Sequence, residues 1–446
     1  MVAGQAEKDE LKHAIELLPK FDDRVIDLGA EVISVLAFPE RWIHWRNEAL
    51  DLLEGRKARR RVVVDCTTPD ISWDHANWFD VGATEAATLL PLALIRKQPV
   101  LALEVRDGSG LIVPTLGRRA NTLLAAAAMT FIVWQAVEAD ADRIMRYWPR
   151  VAAVATADPV RAMQHANILI RDLGLQEMNS MIVRSLAECF PLALVLPRDT
   201  LGQRRVFQYS YHWEMSATGH RLRLFFASLG WASFKWKTEL GLLYFAESYH
   251  FECAAPPGLI ISGLELPRDA TGSVRRSGRS RYVAHAGGKY TYTAPAVAEN
   301  ALIAFDLDPG RLLPRVLAAT IAVAFLYVIM LAIPGLSVTL TSKSASGAAV
   351  ALLLFLPALF VALNARAPEN AIVGAMQLPL RVLTLGLSLS LFVTGAILII
   401  CQDSDLIRAE WWLSLIYAAL GVVSSLIGIT RLHLRNGDKN VSQKHG

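Results

Sequence analysis

VLAATIAVAFLYVIMLAIPGLSVTLTS, residues 316–342, lies between Arg315 and Lys343 and holds no Asp, Glu, Lys, Arg or His. Three stretches of the same kind follow it: 344–365 before Arg366, 382–402 between Arg381 and Asp403, and 411–430 between Glu410 and Arg431. A helix crosses the ~30 Å hydrocarbon layer in roughly 20 residues at about 1.5 Å each. Each stretch is long enough. The reading is a C-terminal bundle of four transmembrane helices over approximately 316–338, 346–365, 382–402 and 411–430.

The flanking charges orient it. Arg311, Arg315, Arg366, Arg381, Arg431, Arg435, Lys439 and Lys444 all fall on one side of such a bundle, while Lys343 and Arg408 fall on the other, beside Asp403, Asp405 and Glu410. Lys and Arg near span ends are retained in the cytoplasm. The expectation is a multi-pass plasma-membrane protein with both termini cytoplasmic and a basic cytoplasmic tail, 431–446. Residues 1–10 are polar, with no apolar export region after them, which agrees. Residues 120–137 (ANTLLAAAAMTFIVWQAV) are also uncharged, but a crossing there would put the eight basic residues outside. They read as a buried core helix.

About 310 of the 446 residues precede the bundle, enough for one large or two ordinary domains. The net charge of +4 is small and spread, so nucleic acid is not an expected partner. Cys66, Cys189, Cys253 and Cys401 are isolated, and the first three read as small buried hydrophobes. Residues 9–58 read as helical, with Pro39 opening a helix through Trp42, Trp45, Ala49 and Leu53. Residues 60–66 (RRRVVVDC with its flanks) read as a strand, and 100–105, Asp107 to Gly110 and 111–116 as a hairpin. Residues 118–189 read as helices broken near Ala139, Pro159 and Gly174. Together, 1–190 form an α+β region. Short runs at 191–197, 205–214, 221–226, 249–255, 259–266, 281–285, 289–293 and 301–307 then suggest a membrane-proximal antiparallel β-sandwich over 191–310.

One internal echo carries chemistry. Ser210-Tyr-His-Trp-Glu214 recurs as Ser248-Tyr-His-Phe-Glu252. On strands, each copy puts Ser, His and Glu on one face and the aromatics on the other. If the two strands pair, His212, Glu214, His250 and Glu252 converge as divalent-metal ligands or acid–base groups; the competing reading is an ordinary strand with its aromatic face in the core. No cofactor is otherwise expected. Trp73, His75, Trp78 and Asp80 form a second, weaker cluster. A phosphate-binding loop, a dinucleotide fingerprint, a zincin helix and a nucleophile elbow are all missing from the sequence, which turns the reading away from catalysis. Arg56 to Arg61 is a basic run. A second, Arg275, Arg276, Arg279 and Arg281, is positioned to contact anionic lipid headgroups. The spans carry no charge suited to ion-coupled transport, but small residues such as Gly421, Ser425 and Gly428 permit close packing or self-association.

RRRVVVDCTTPD, LLPLALIRKQPVLALEVRDGSGLIVPTLGRRAN and SYHFECAAPPGLIISGLEL, followed by four spans, resemble a group of uncharacterised membrane proteins of high-GC bacteria. The resemblance implies a bacterial plasma membrane and transfers no site residue. The leading functional expectation is a membrane-anchored cytoplasmic region that binds a partner or senses a ligand. The alternatives are an oligomeric pore gated by that region and a metal-dependent enzyme built on the His/Glu strands.

Overall fold

The computed structural model describes residues 11–18, 23–55, 57–69, 87–98, 100–214, 221–240, 246, 248–266, 275–280, 282–289, 300–308, 312–333, 335, 370–400 and 404–442. After the helix α1 (Asp23–Leu36), the chain enters β1 (Ile43–Leu52) and β2 (Lys57–Thr67), an antiparallel pair in which Leu50 faces Arg60 and Glu48 faces Val62. Residues 43–52 therefore form a strand, not the helix expected through Trp42, Trp45 and Ala49. The helical spacing of those residues is outweighed by a period-2 pattern of burial whose inward positions are Arg46, Glu48, Leu50 and Leu52.

β3 (Ala87–Arg96), β4 (Leu101–Asp107), β5 (Cys189–Pro197), β6 (Arg204–Glu214), β7 (Phe234–Glu239), β8 (Ser248–Ala254), β9 (Leu259–Glu265), β10 (Arg275–Ser280), β11 (Val283–Lys289) and β12 (Asn300–Leu307) complete three sheets. The largest is seven-stranded in the order β10-β11-β8-β1-β2-β6-β4, and it interleaves strands from either side of residue 190. Among the described residues β1 and β8 are its one parallel pair, and its other pairs are antiparallel. β7-β12-β9 form an antiparallel sheet and β3-β5 a two-stranded one. The expected turn after β4 is present, with Asp107 accepting from the Ser109 and Leu111 amides, but 111–116 form no second strand, only isolated bridges of Ile112 to Arg106 and Thr115 to Leu194. Residues 221–226, expected as a strand, belong to helix α6 (Arg221–Ser228). Their Arg/Leu alternation marks no buried sheet face, since Leu222, Phe225 and Phe226 are exposed.

The helices between β4 and β5 break where turn chemistry demands it. α2 (Arg118–Ala136) is followed by Glu138 and Ala139 with positive φ, and α3 (Ala141–Thr156) is capped by Asp140. α4 (Pro159–Leu173) is capped by Asp158 and ends on left-handed Gly174, before α5 (Glu177–Glu188). α2 is a core helix, as its borderline length indicated: residues from Leu123 to Val133 are buried in one apolar cluster with α1, α3, β3 and β5. α1 crosses α2 so closely that a Cβ on Gly29 would stand 2.1 Å from the Ala127 carbonyl oxygen.

Among the described residues, three further helices are long and apolar enough to span a membrane: α7 (Leu312–Ala332), α8 (Ala371–Ile400) and α9 (Ser404–Ser442). The expected span at 346–365 lies outside the described residues, as do the Trp73/His75/Trp78/Asp80 cluster, Arg56 and Arg281. α9 begins earlier than the expected span and takes in Glu410, whose carboxylate accepts from Thr394 and Ser414 hydroxyls. Tyr327 of α7 shares a 2.8 Å hydrogen bond with the same Thr394, so a polar cluster links all three helices.

Because the α1–α2 crossing leaves no room for a side chain, Gly29→Val should destabilise the fold by about 1–3 kcal/mol through overpacking. Thermal unfolding followed by circular dichroism reads the loss, and an unchanged midpoint would rule out so close a crossing.

Candidate functional site

Strand register sorts the large sheet into two faces. One carries Arg46, Glu48, Leu50 and Leu52 of β1, Ala58, Arg60, Val62 and Val64 of β2, Phe207, Tyr209, Tyr211 and Trp213 of β6, and Tyr249, Phe251 and Cys253 of β8. This face is buried and divided. Val62, Val64, Phe207, Tyr209 and Tyr211 join the apolar cluster of α1 to α5, whereas Leu50, Leu52, Ala58, Tyr249, Phe251 and Cys253 join a second cluster with β7, β9, β12 and the long helices.

An ionic network occupies the seam between these cores. Glu48 is 0% exposed and Arg46 2%. Glu48 Oε1 stands 2.9 Å from Arg60 Nε and its Oε2 3.7 Å from Arg46 Nη2, while the Tyr249 hydroxyl donates to Oε2 at 2.9 Å. Arg46 Nη2 donates to Tyr209 Oη at 3.0 Å, Arg60 Nη1 to Tyr211 Oη at 3.3 Å, and the Arg60 guanidinium covers the Trp213 ring at 4.9 Å. Burial pushes the Tyr249 hydroxyl far up, and the Glu48 carboxylate adds to this, so the phenol keeps its proton and remains the donor. Burial works against the Arg46 charge, but the Tyr209 oxygen and Glu48 hold the guanidinium above its ordinary value. One carboxylate thus serves two guanidiniums, and Arg46 Nε finds no partner among the described residues.

The opposite face is half-open and polar. It carries the sequence-predicted residues, and it does not bring the two echo strands together. β1 and β2 intervene between β8 and β6, which at about 4.8 Å per strand separates His250 from His212 by roughly 14 Å or more. The copies are also out of register by four residues, since Ser210 and Glu252 share a row through Arg61 and Ala49. His212 lies opposite Arg59, and Glu214 opposite Lys57. The expected alternation of burial holds in the second copy, with Tyr249 and Phe251 buried and Ser248, His250 and Glu252 half-exposed, but in the first Ser210 is buried beside Tyr211 and Trp213 is half-buried. Among the described residues no group of three His, Cys, Asp or Glu side chains is placed to hold a metal ion.

His250 has a different partner, which the echo did not indicate. Its Nδ1 lies 3.2 Å from His285 Nε2 with the rings stacked at 5.2 Å, Ser248 Oγ lies 3.1 Å from its Nε2, and Trp45 closes one side at 5.9 Å. Burial, then the nearby His285, lowers the His250 imidazole from its ordinary value. A His held neutral by the fold contributes its full stability above its ordinary pKa, near 6.5, and loses it as pH falls below that value. Gly287 is required here, because a Cβ would meet the His250 ring at 2.6 Å. Arg275, Arg276 and Arg279 lie on β10, the outer strand, where charge discourages further strand pairing. Burial pushes the Cys66 thiol up to about 12 and raises that of Cys253 as well, so both are inert, while Cys189 is only partly buried.

No family model matches this chain, and no curated protein matches it. Its chemistry is therefore read from its own geometry, in which the buried network is the most strongly constrained polar arrangement. Removing one partner of a buried ionic group costs about 3–5 kcal/mol, since the charges left behind are uncompensated. Glu48→Gln should lower stability by that amount in a denaturant titration followed by tryptophan fluorescence; a loss under about 1 kcal/mol would mean that Glu48 does not hold the two guanidiniums.

Proposed function

We propose that the chain is a multi-pass membrane protein whose non-membrane region binds a ligand or partner and is coupled to the helical bundle through a shared core. The observation that carries this reading is the second apolar cluster, in which Leu50 and Phe305 of the sheets are buried together with Val316 of α7, Met376 of α8 and Leu432 of α9. A flexible tether would leave the two parts separately solvated. Here the joint is also hydrogen-bonded: Trp231 Nε1 donates to Ser424 O, Arg431 Nη1 to Trp231 O, and the Asn370 carboxamide to Leu53 O. A Cβ on Gly428 would lie 2.0 Å from the Leu229 carbonyl oxygen, so α9 touches the soluble fold backbone to backbone.

The same contacts support four crossings. α7 starts shortly after β12, α8 starts beside Leu53, and the C-terminal half of α9 packs on Leu229 at Gly428, so α7 and α8 both lead away from the sheets. A return crossing between them, at 346–365, satisfies that geometry. The basic flanks then favour a cytoplasmic soluble region with both termini inside, and the resemblance to high-GC bacterial proteins favours the plasma membrane. α6, with exposed Leu222, Phe225 and Phe226 beside the α9 joint, is suited to rest in the headgroup layer, and the arginines at 275–281 to meet anionic lipid.

A reporter that works only in the periplasm, fused after His445, should be silent; activity there would overturn the orientation. Gly428→Val should raise hydrogen exchange not only in α9 but also in β7 and β12 when the full chain is studied in lipid nanodiscs. Exchange raised in α9 alone would reduce the bundle to an anchor.

A further inference from the structure

A cavity of about 650 Å³ opens beside the start of α2 and is lined by Lys97, Arg118, Asn121, Val100, Leu103 and Phe190 among others. Its size falls within the usual range for small-molecule sites, about 300–1,000 Å³. An adjoining hollow of about 440 Å³ shares Lys97, Gln98 and Pro159 with it, so Lys97 stands where the two meet.

Two of its three charged side chains, Lys97 and Arg118, are cations. Lys97 Nζ donates to Val154 O at 2.7 Å, in the last turn of α3, where a cation is favoured. That uses one of its three donors, and no carboxylate among the described residues pairs with it. Burial pulls the Lys97 ammonium down to about 8, the mark of a charge short of compensation. α2 begins at Arg118 with no side-chain cap on Gly117, so first-turn amides and the positive end of the helix are at the cavity. The one acid on the wall, Asp158, is already engaged in capping α4 through the Val160 and Arg161 amides. Asn121 is 3% exposed and donates to Leu116 O, but its Oδ1 has no partner among the described residues. Gln98, Thr122 and Thr156 also line it, both threonine hydroxyls donating within their own helices, and the remaining wall is apolar.

We propose that this cavity binds an organic anion: a carboxylate or phosphate placed between Lys97, Arg118 and the start of α2, with an apolar body against Val100, Leu103 and Phe190. A hydroxyl or amide N–H on that body would satisfy Asn121 Oδ1. A headgroup hydrogen-bonded by Lys97, Arg118 and first-turn amides supplies the negative charge that these groups lack.

The test uses the full chain in lipid nanodiscs and three water-soluble probes: 2-naphthoate, 1-naphthyl phosphate and the neutral 2-naphthamide. Saturable binding of at least one anion is expected, with the amide about tenfold weaker or more, and with Lys97→Met and Arg118→Gln each weakening the anion about tenfold. Arg118 is exposed and Arg118→Gln leaves the Lys97–Val154 bond intact, so it decides the matter if Lys97→Met unfolds. Competition separates the sources of charge: displacement by decanoate but not by equimolar inorganic phosphate supports the proposal, and displacement by phosphate alone overturns its apolar half. No saturable binding of either anion, equal binding of the amide, or anion binding unchanged in both variants would overturn it entirely.

Discussion

Glu48 sits in the middle of a sheet with no access to water, holding two arginines and a tyrosine hydroxyl. Buried ion pairs add little net stability over apolar residues of the same volume, but they are costly to mismatch. That asymmetry matters for β1. A slip of one residue would send Arg46 and Glu48 to the open face and bring Trp45 and Asn47 inside, leaving Arg60 buried without its carboxylate. The network thus fixes the register of the strand on which both cores depend. Leu50 and Leu52, two and four residues further along the same face, then reach the membrane-proximal cluster.

From that strand, order passes outward in two directions. Through Tyr209 and Tyr211 it reaches the helical layer of α1 to α5, and through Tyr249 and Phe251 it reaches β12 and the long helices. Neither core is closed by its own local segment. The first gathers α1 together with β5 and β6, which come far later in the chain, and the second takes Met376 and Leu432 from apolar helices. Movement at either end would be resisted by contacts with no slack, since interiors pack at crystal-like density.

Much of this was legible in the sequence where a single physical effect dominated. The apolar stretches at α7, α8 and α9 lack charge because a bilayer tolerates none, and the helices from 118 to 188 break where Ala139, Pro159 and Gly174 impose it. The strand at 248–254 shows plain alternation. β1 was hidden because its inward positions include Arg and Glu, which any reading by polarity places outside. The echo of Ser-Tyr-His-aromatic-Glu suggested neighbouring strands, yet pairing was decided by β1 and β2, some 150 to 200 residues earlier. His285, the real partner of His250, carries no local signal, and neither does the cavity, whose Lys97, Asn121 and Phe190 come from three separate elements. Val373 and Met376 of α8 precede the expected span at 382–402, because Arg381 interrupts the apolar run there, yet the helix begins at Ala371 and buries both against the sheets.

The close contact of Gly428 with Leu229 also sets an order of assembly. All strands of the sheets are complete once residue 307 has been made, but the apolar surface formed by Leu50, Phe234 and Phe305 lacks its covering residues at 372–380 and 432 until synthesis is almost over. During that interval the newly made region carries an open hydrophobic face that α8 and α9 seal together. Folding of the soluble part and insertion of the bundle are therefore one event, and a chain stopped before α9 would be left with an adhesive surface instead of a smaller version of the same protein.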